Sequence, residues 1–459
     1  MRIAHRVYSF LIEAVVWCAL VPCTVIQVAR RRASWEDLDE RLGKRALAVP
    51  RSPRIVVHAV SAGEAVAAGA FVEALAHERP DWLVVLTCGN RDARTIAASL
   101  QQRCRAVEAV TYLPWDRRRT VEWVRRLQPS AVAIVEPEIW PNLYRACAAR
   151  RLPLFLLNAH LYPQDVPRYR FARWFFADVL RAAAWIGVQT INDRADFVEI
   201  GAPAERLEVT GSFKFDVRPS GDTPLASRVG AVRAAGCQIL IGGSTYALEE
   251  QYLLLALGRL RSSFGELRLI LAPRHVSRAV RIASTASRHG YRVVRGAPVA
   301  ALPDEWDVLV VDRLGDLAPL YAVADVAFVG GSIVNRGGHN VLEPARAGAA
   351  SIVGPHVHHI REIVAGLVAV DAVVQLRDES ADTLVSALQQ LLTNRIKRLA
   401  MAERARAYCE ANSRAVDRSI EMVVREVERR LSSSRELTAT ARPPATSTTW
   451  QLDANGAES

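Results

Sequence analysis

The chain has 459 residues, half of them hydrophobic and 23% charged, which excludes global disorder, collagen-like repetition and a disulfide-held miniprotein. Its 59 Lys+Arg against 48 Asp+Glu leave a net charge of +11, a bias toward nucleic acid, acidic lipid or phosphorylated substrates. Seven widely spaced cysteines without a CxxC argue against a disulfide framework or a cysteine zinc site and fit a reducing compartment.

Residues 7–29 (VYSFLIEAVVWCALVPCTVIQVA) carry one charge, Glu13, and are long enough to span a bilayer as a helix. No small-x-small cleavage site follows, and Arg30, Arg31 and Arg32 close the run. A retained anchor is favoured over a signal peptide or a buried helix, with the rest of the chain on the cytoplasmic side. Glu13 and Pro22 leave open whether the segment crosses the membrane or lies in its interface.

Beyond the anchor, short β-branched runs alternate with helical stretches. Strands are predicted near 54–60, 82–87, 107–112, 130–135 and 153–158, and helices near 64–78, 91–102, 116–127 and 141–150. Residues 217–227 (VRPSGDTPLAS) read as a linker. The alternation then restarts, with strands near 238–242, 268–272, 292–295, 307–312, 325–329 and 350–353. Helices fit 248–262, 276–289, 316–323, 339–348 and a long region from 380 to 431. Alternation of this kind makes parallel sheets covered by helices on both faces. The expected division is an anchor over 1–32, one α/β lobe over 33–217, a second over 218–431, and a disordered tail over 432–459. Two such lobes place a cleft between them, with ligands at the carboxyl ends of strands.

Five loops could carry chemistry. His58-Ala59-Val60-Ser61-Ala62-Gly63-Glu64 puts a carboxylate at a strand-to-helix turn, either a helix-start acid or a general base. Glu136-Pro137-Glu138-Ile139-Trp140 crowds two acids and an aromatic, suited to sugar hydroxyls or simply solvated. Gly242-Gly243-Ser244-Thr245 reads as a turn that either admits a phosphate to backbone N–H groups or caps a helix. Arg274-His275 closes a strand, where an arginine can hold a phosphate by two bonds or stand exposed. In 328–344, Gly337 and Gly338 free the backbone, His339 and Asn340 open a helix, and Asn340 and Glu343 share a helical face. That pattern either offers N–H groups to phosphate and a carboxylate to ribose or is a plain loop before a capped helix. GxGxxG after a strand, GxxxxGK[ST], HExxH and GxSxG are all missing, which lowers dehydrogenase, P-loop, zinc-protease and hydrolase readings.

These segments together resemble the 3-deoxy-D-manno-octulosonic acid (Kdo) transferases of lipopolysaccharide assembly. The carrying motifs are HAVSAGE at 58–64, YLPWD at 112–116, VEPEIWPN at 135–142, GSFKFD at 211–216, GGST at 242–245, APRH at 272–275, VGGSIVNRGGHNVLEP at 329–344 and GPH at 354–356. The resemblance implies the GT-B fold, two Rossmann-like lobes facing a cleft. It implies transfer of Kdo from a CMP-Kdo donor to a glucosamine hydroxyl of the lipid A precursor, lipid IVA, with inversion. By the same match Glu64 is the general base, and Glu136 is an acceptor-side acid that assists. Arg274 meets the CMP phosphate, and His275, Ser244, Gly337, Gly338, His339, Asn340 and Glu343 are further substrate-binding residues. Lys214, in the hinge segment and one of only three lysines in an arginine-rich chain, is taken as a further substrate-binding residue.

The chain departs from the family pattern at Cys88-Gly89-Asn90, at Asn158-Ala159-His160-Leu161-Tyr162, at Tyr246 and at His359-Ile360. The donor already carries its phosphate, and no Asp-x-Asp loop stands out, so neither a metal nor another cofactor is expected. The implied place is the cytoplasmic face of the cell inner membrane, on an anionic surface, held by the single N-terminal anchor. Nucleic acid is not expected as a partner, because the charges are spread over amphipathic helices without a recognition motif. No oligomeric state is assigned. The rival readings are a GT-B enzyme with another nucleotide-sugar donor and a UDP-sugar 2-epimerase.

Overall fold

The computed structural model describes residues 2–45, 47–50, 52–136, 138–162, 164–217, 223–296, 302–313 and 315–440. Among these, two parallel sheets of seven strands form. The first holds β1 (Arg54–Ala59), β2 (Leu83–Cys88), β3 (Val107–Tyr112), β4 (Ala131–Val135), β5 (Leu154–Ala159), β6 (Trp185–Val188) and β7 (Leu207–Val209), in the order β3-β2-β1-β4-β5-β6-β7. The second holds β8 (Gln238–Thr245), β9 (Leu267–Pro273), β10 (Val293–Arg295), β11 (Val308–Val310), β12 (Val326–Val329), β13 (Ala350–Val353) and β14 (Val373–Gln375), in the order β10-β11-β9-β8-β12-β13-β14.

Burial explains the continuous apolar runs. Every residue of β1, β4 and β5 is buried, as parallel strands covered on both faces must be. In the second sheet the two-residue period divides each strand between two cores. Leu240, Leu269, Leu271, Val308 and Phe328 pack on one side. Ile239, Ile241, Ile270, Leu309 and Ala327 pack on the other. Helices between strands begin at side-chain caps: Ser61 accepts from Glu64 N–H, Asn90 from Ala93 N–H and Thr190 from Asp193 N–H.

The chain separates into two compact units, Met1–Gly211 with the residues from Val416 onward, and Ser212–Ala415. Each is a Rossmann-like α/β body with its own core. The division differs from the expected one in three ways. The step falls at Gly211, so Lys214 lies in the second unit. The long C-terminal helical region is three helices, Ala381–Thr393, Arg395–Ala411 and Ala415–Thr440, and the last belongs almost wholly to the first unit. There Arg79 pairs with Glu428, and Arg418 donates to the Thr210 carbonyl. Helix also continues through residues 432–440, and the rest of the expected tail lies outside the described residues. Of the expected linker, 218–222 lies outside the described residues, while Pro224–Ala234 is a helix capped by Thr223.

The N-terminal segment is helical from Arg2 to Ala29, with a π-helical stretch at Val16–Leu20. It is the one helix among the described residues long and apolar enough to cross a membrane. Three short strands, β6, β7 and β14, went unpredicted. WIGV, LEV and VVQ are too short to show a period, and pairing with a longer neighbour makes them strands.

Candidate active site

In each sheet the chain leaves one strand toward one edge and later returns toward the other, and the point of reversal opens a crevice at the strand ends. In the first sheet that point lies between β1 and β4, which pair from Ile55↔Ala131 to His58↔Ile134. Glu64 follows β1, and Glu136 and Glu138 follow β4.

Glu64 sits in the first turn of the helix Ala62–Glu78, where its Oε2 accepts from Val60 N–H at 2.6 Å. One oxygen is thus used in holding the turn. Among the described residues Oε1 has no hydrogen-bond partner, so the helix-start acid and the base are compatible roles for one side chain. Glu136 has φ +67°, and Asn158 at the end of neighbouring β5 has φ +54°, both in the left-handed region that non-glycine residues avoid. The Asn158 Nδ2 lies 3.4 Å from Glu136 Oε1. Paired backbone outliers of this kind persist where the surroundings force them, as at functional sites.

Glu138 feels the other two carboxylates. Burial first, then the charges of Glu64 and Glu136, push Glu138 up to about 7. Burial and the same two acids raise the Tyr162 phenol. His160 Nδ1 lies 2.7 Å from Asp193 Oδ1, and its ring meets Tyr162 edge-on at 5.1 Å. His58, buried under this turn, bonds Thr87 and is driven down to about 4 by burial, so it is neutral near pH 7.

In the second sheet the reversal lies between β8 and β12. Tyr246 follows β8 and is the centre of a cluster. Its ring stacks on His339 at 5.7 Å, meets His275 edge-on at 5.9 Å and lies under Arg336, whose Cζ is 5.7 Å from the ring centre. Arg274, exposed at the end of β9, donates its backbone N–H to Thr245 O. Burial, then the charges of Arg274, His359 and His275, hold the His339 imidazole down at about 4. A neutral histidine beside exposed arginines and an aromatic face suits a nucleotide phosphate and base.

The 328–344 segment works differently from its expected geometry. The helix starts only at Leu342, so His339 and Asn340 stand in the loop ahead of it. Asn340 still meets Glu343: its Nδ2 donates to Glu343 Oε1 at 3.1 Å, while its Oδ1 caps Leu342 N–H at 3.1 Å. The Gly338 and His339 N–H groups, expected to face phosphate, bond Gly331 O at 2.8 Å and Gly330 O at 3.1 Å. The reason is that the excursion from Gly330 to His339 closes on itself. Gly337, at φ +84°, is needed there, since a Cβ would meet His359 Nδ1 at 2.5 Å.

The nest of N–H groups at Gly331, Ser332 and Ile333 already holds an anion, the Glu249 carboxylate, with all three bonds at 3.0 Å. The Gly242-Gly243 pair is likewise structural. Both lie inside β8, and a Cβ on Gly243 would overlap the Tyr321 hydroxyl. Ser244, at φ +55°, turns the strand's end.

Of the residues expected from sequence, Glu64 and Glu136 come together in the first unit. Arg274, His275 and His339 come together in the second, with Asn340 bonded to Glu343. Lys214 is exposed in the turn Phe213–Phe215, and its backbone carbonyl accepts from Arg346. Glu138, Asn158, Tyr246, Glu249 and Arg336 were not singled out as site residues. Glu138 was legible as the second acid of its loop. The roles of Tyr246 and Glu249 depend on contacts between strands distant in sequence. Among the described residues no group of three or more His, Cys, Asp or Glu stands at metal-binding spacing.

Residues 36–217 match the family model of the 3-deoxy-D-manno-octulosonic-acid transferases (kdotransferases). The 3-deoxy-D-manno-octulosonic acid transferase of Bordetella pertussis is 32% identical over 405 residues, covering 83% of this chain and 89% of that protein. The Haemophilus influenzae enzyme of the same name is 27% identical over 388 residues, covering 83% and 88%. Among solved structures, UDP-GlcNAc 2-epimerase from Neisseria meningitidis superposes with a TM-score of 0.55 at 11% identity, covering 81% of this chain and all of that one. That likeness shows the GT-B type of fold and nothing about activity.

Proposed function

The chain belongs to the 3-deoxy-D-manno-octulosonic acid (Kdo) transferases, a family of glycosyltransferases, and from that membership we propose that it moves Kdo from CMP-Kdo to a glucosamine hydroxyl of the lipid A precursor. The observation that carries the mechanism is the gathering of Glu64, Glu136 and Glu138 at the reversal point of the first sheet. The acceptor hydroxyl gives its proton to Glu64, and its oxygen bonds to the anomeric carbon of Kdo from the face opposite CMP. The bond from that carbon to the phosphate oxygen breaks, and its electron pair leaves with CMP. Bond breaking runs ahead of bond making, so negative charge grows on the phosphate. Arg274, beside His339, and Arg336, beside Tyr246, are proposed to meet it. Glu138, pushed up to about 7, holds a proton more readily than an ordinary carboxyl, which spares the cluster its third negative charge.

The N-terminal helix is proposed to hold the protein on the cytoplasmic face of the inner membrane. Ile3, Val7, Phe10, Leu11 and Trp17 are exposed along it, and Arg30, Arg31 and Arg32 follow. Arginines at that point suit an anionic surface.

The test is to incubate purified protein with CMP-Kdo and the tetraacylated precursor and weigh the lipid product. Gain of Kdo by the lipid is the expected result, and Glu64→Gln should slow it by about 10²–10⁴. An unchanged lipid mass would refute the donor–acceptor pair. A wild-type rate in Glu64→Gln would remove that residue as base.

A further inference from the structure

The N-terminal helix does more in this structure than offer an apolar surface. His5, Tyr8, Ser9 and Glu13 recur at helical spacing and form a polar stripe along one side. Each is engaged by the rest of the first unit. Ser9 Oγ donates to Asn142 Oδ1 at 2.8 Å, and His5 Nε2 lies 2.9 Å from the same oxygen. The Tyr8 hydroxyl donates to Asp116 Oδ2 at 2.9 Å, and Arg117 pairs with Glu13 at 2.9 Å. Ser9, Asp116 and Asn142 are 2%, 3% and 5% exposed, so these bonds form away from water. Phe175 packs beside the stripe, 5.7 Å from the Tyr8 ring and 6.4 Å from that of His5.

The residues that receive His5, Tyr8 and Ser9 are Asp116 of YLPWD and Asn142 of VEPEIWPN, and the mechanism, which uses the acids of the second motif, gives neither of these two a part. Their joint role is visible at the start of the helix Pro141–Ala149. A helix leaves its first N–H groups without internal partners, and Trp140, at the capping position, offers no side-chain cap. Asp116 supplies the cap from a distant loop. Its Oδ2 accepts from Asn142 N–H and its Oδ1 from Leu143 N–H, both at 2.9 Å, while its own carbonyl accepts from Asn142 Nδ2 at 2.6 Å. The same turn is where the acid-bearing loop ends. At its other end Glu136 N–H bonds Leu157 O at 2.9 Å, and within it Glu138 N–H bonds Glu136 O at 2.8 Å. Only Ile139 and Trp140 separate Glu138 from the capped helix, so a shift of the first turn is passed to the carboxylates with little slack.

We propose that Asp116, with Tyr8 and Ser9 of the N-terminal helix, positions the Glu136–Glu138 loop, so that the membrane helix is part of the acceptor-side scaffold. The proposal rests on the reading that these acids serve Kdo transfer. It separates the two sides of the helix. The stripe of His5, Tyr8 and Ser9 acts on the loop, and the exposed side with Phe10 and Leu11 acts on the lipid.

The test uses the full chain with CMP-Kdo and a water-soluble phosphorylated glucosamine disaccharide without acyl chains. Co-sedimentation with phosphatidylethanolamine–phosphatidylglycerol vesicles is measured alongside. Tyr8→Phe and Asp116→Asn should lower kcat by about 10-fold or more, since small misplacement of reacting groups is costly. The KM for CMP-Kdo and the co-sedimentation should stay as they are. Ser9→Ala should lower kcat likewise, and Ser9→Thr, which keeps the hydroxyl, should restore it. Phe10→Ala with Leu11→Ala should do the reverse, weakening co-sedimentation and sparing kcat on the soluble acceptor. Melting curves separate a folding defect from a positioning one. A lower melting temperature with wild-type kcat per folded molecule would overturn the proposal, as would wild-type kcat in both Tyr8→Phe and Asp116→Asn. If Glu136→Gln and Glu138→Gln also turn over at wild-type rate, the acids themselves are dispensable and the proposal falls with them. If the wild-type chain transfers no Kdo, the error lies in the donor–acceptor reading beneath it.

Discussion

Replacing Glu138 by Gln should make the protein more stable at pH 8 while slowing transfer. The carboxyl is pushed from its ordinary 4.5 up to about 7, first by burial and then by the charges of Glu64 and Glu136. Between those two pH values the folded chain keeps a proton that the unfolded chain releases, so stability falls as pH rises through the interval. The penalty is absent below the lower value, grows between the two and is complete above the upper. At about 1.4 kcal/mol per pKa unit, the full interval amounts to about 3 kcal/mol. Gln keeps the shape and removes the charge but still buries an amide, so a net gain of about 2 kcal/mol is expected at pH 8. For a unit of this size that is a rise of about 4–8 °C in melting temperature. Melting curves of the two proteins at pH 4.5 and pH 8 decide the matter. They should nearly coincide at the lower pH and separate at the higher. An equal difference at both would show that Glu138 does not titrate between them, and that the three carboxylates are not crowded as described.

Glu249→Ala should strip the Gly331, Ser332 and Ile333 N–H groups of their acceptor, at about 1–3 kcal/mol for each donor left buried and unpaired. A melting temperature equal to wild type would refute its role in holding the loop. Arg274→Ala and Glu343→Ala should each weaken CMP binding about 10- to 100-fold, the worth of one charge-assisted bond. Calorimetry finding both unchanged would move the nucleotide elsewhere. Gly243→Ala should destabilise the second unit by about 1–3 kcal/mol, because the added methyl overlaps the Tyr321 hydroxyl. Tyr321→Phe in the same chain should recover part of the loss, and no recovery would place the strain at another contact.

Much of this protein could be read from the order of its residues. Runs such as RIVVHA, AVAIV and LRLILAP are apolar at nearly every position, and only a strand covered on both faces accommodates that, so the parallel sheets follow from local pattern. HAVSAGE and VEPEIWPN mark their acids because each stands directly after such a strand. Four outcomes depended on tertiary structure, because each turns on partners remote in the chain. Glu138 becomes an unusual acid only when β1 is laid beside β4 and Glu64 is brought near it. A glycine-rich stretch reads alike whether it holds a phosphate or a carboxylate. Glu249, 82 residues before Gly331, decides for the carboxylate. Gly242 and Gly243 read equally as a phosphate turn or a capped tight turn, and only the packing of Leu253 and Tyr321 against the strand shows why no side chain fits. The N-terminal run reads as an anchor in preference to a signal peptide or a buried helix, by its apolar length. His5, Tyr8, Ser9 and Glu13 acquire meaning only when Asp116, Arg117 and Asn142, more than 100 residues away, are folded against them. Local pattern records what each segment must bury. It does not record which distant group will satisfy the polar atoms left over, and in this fold those pairings set the geometry of the site.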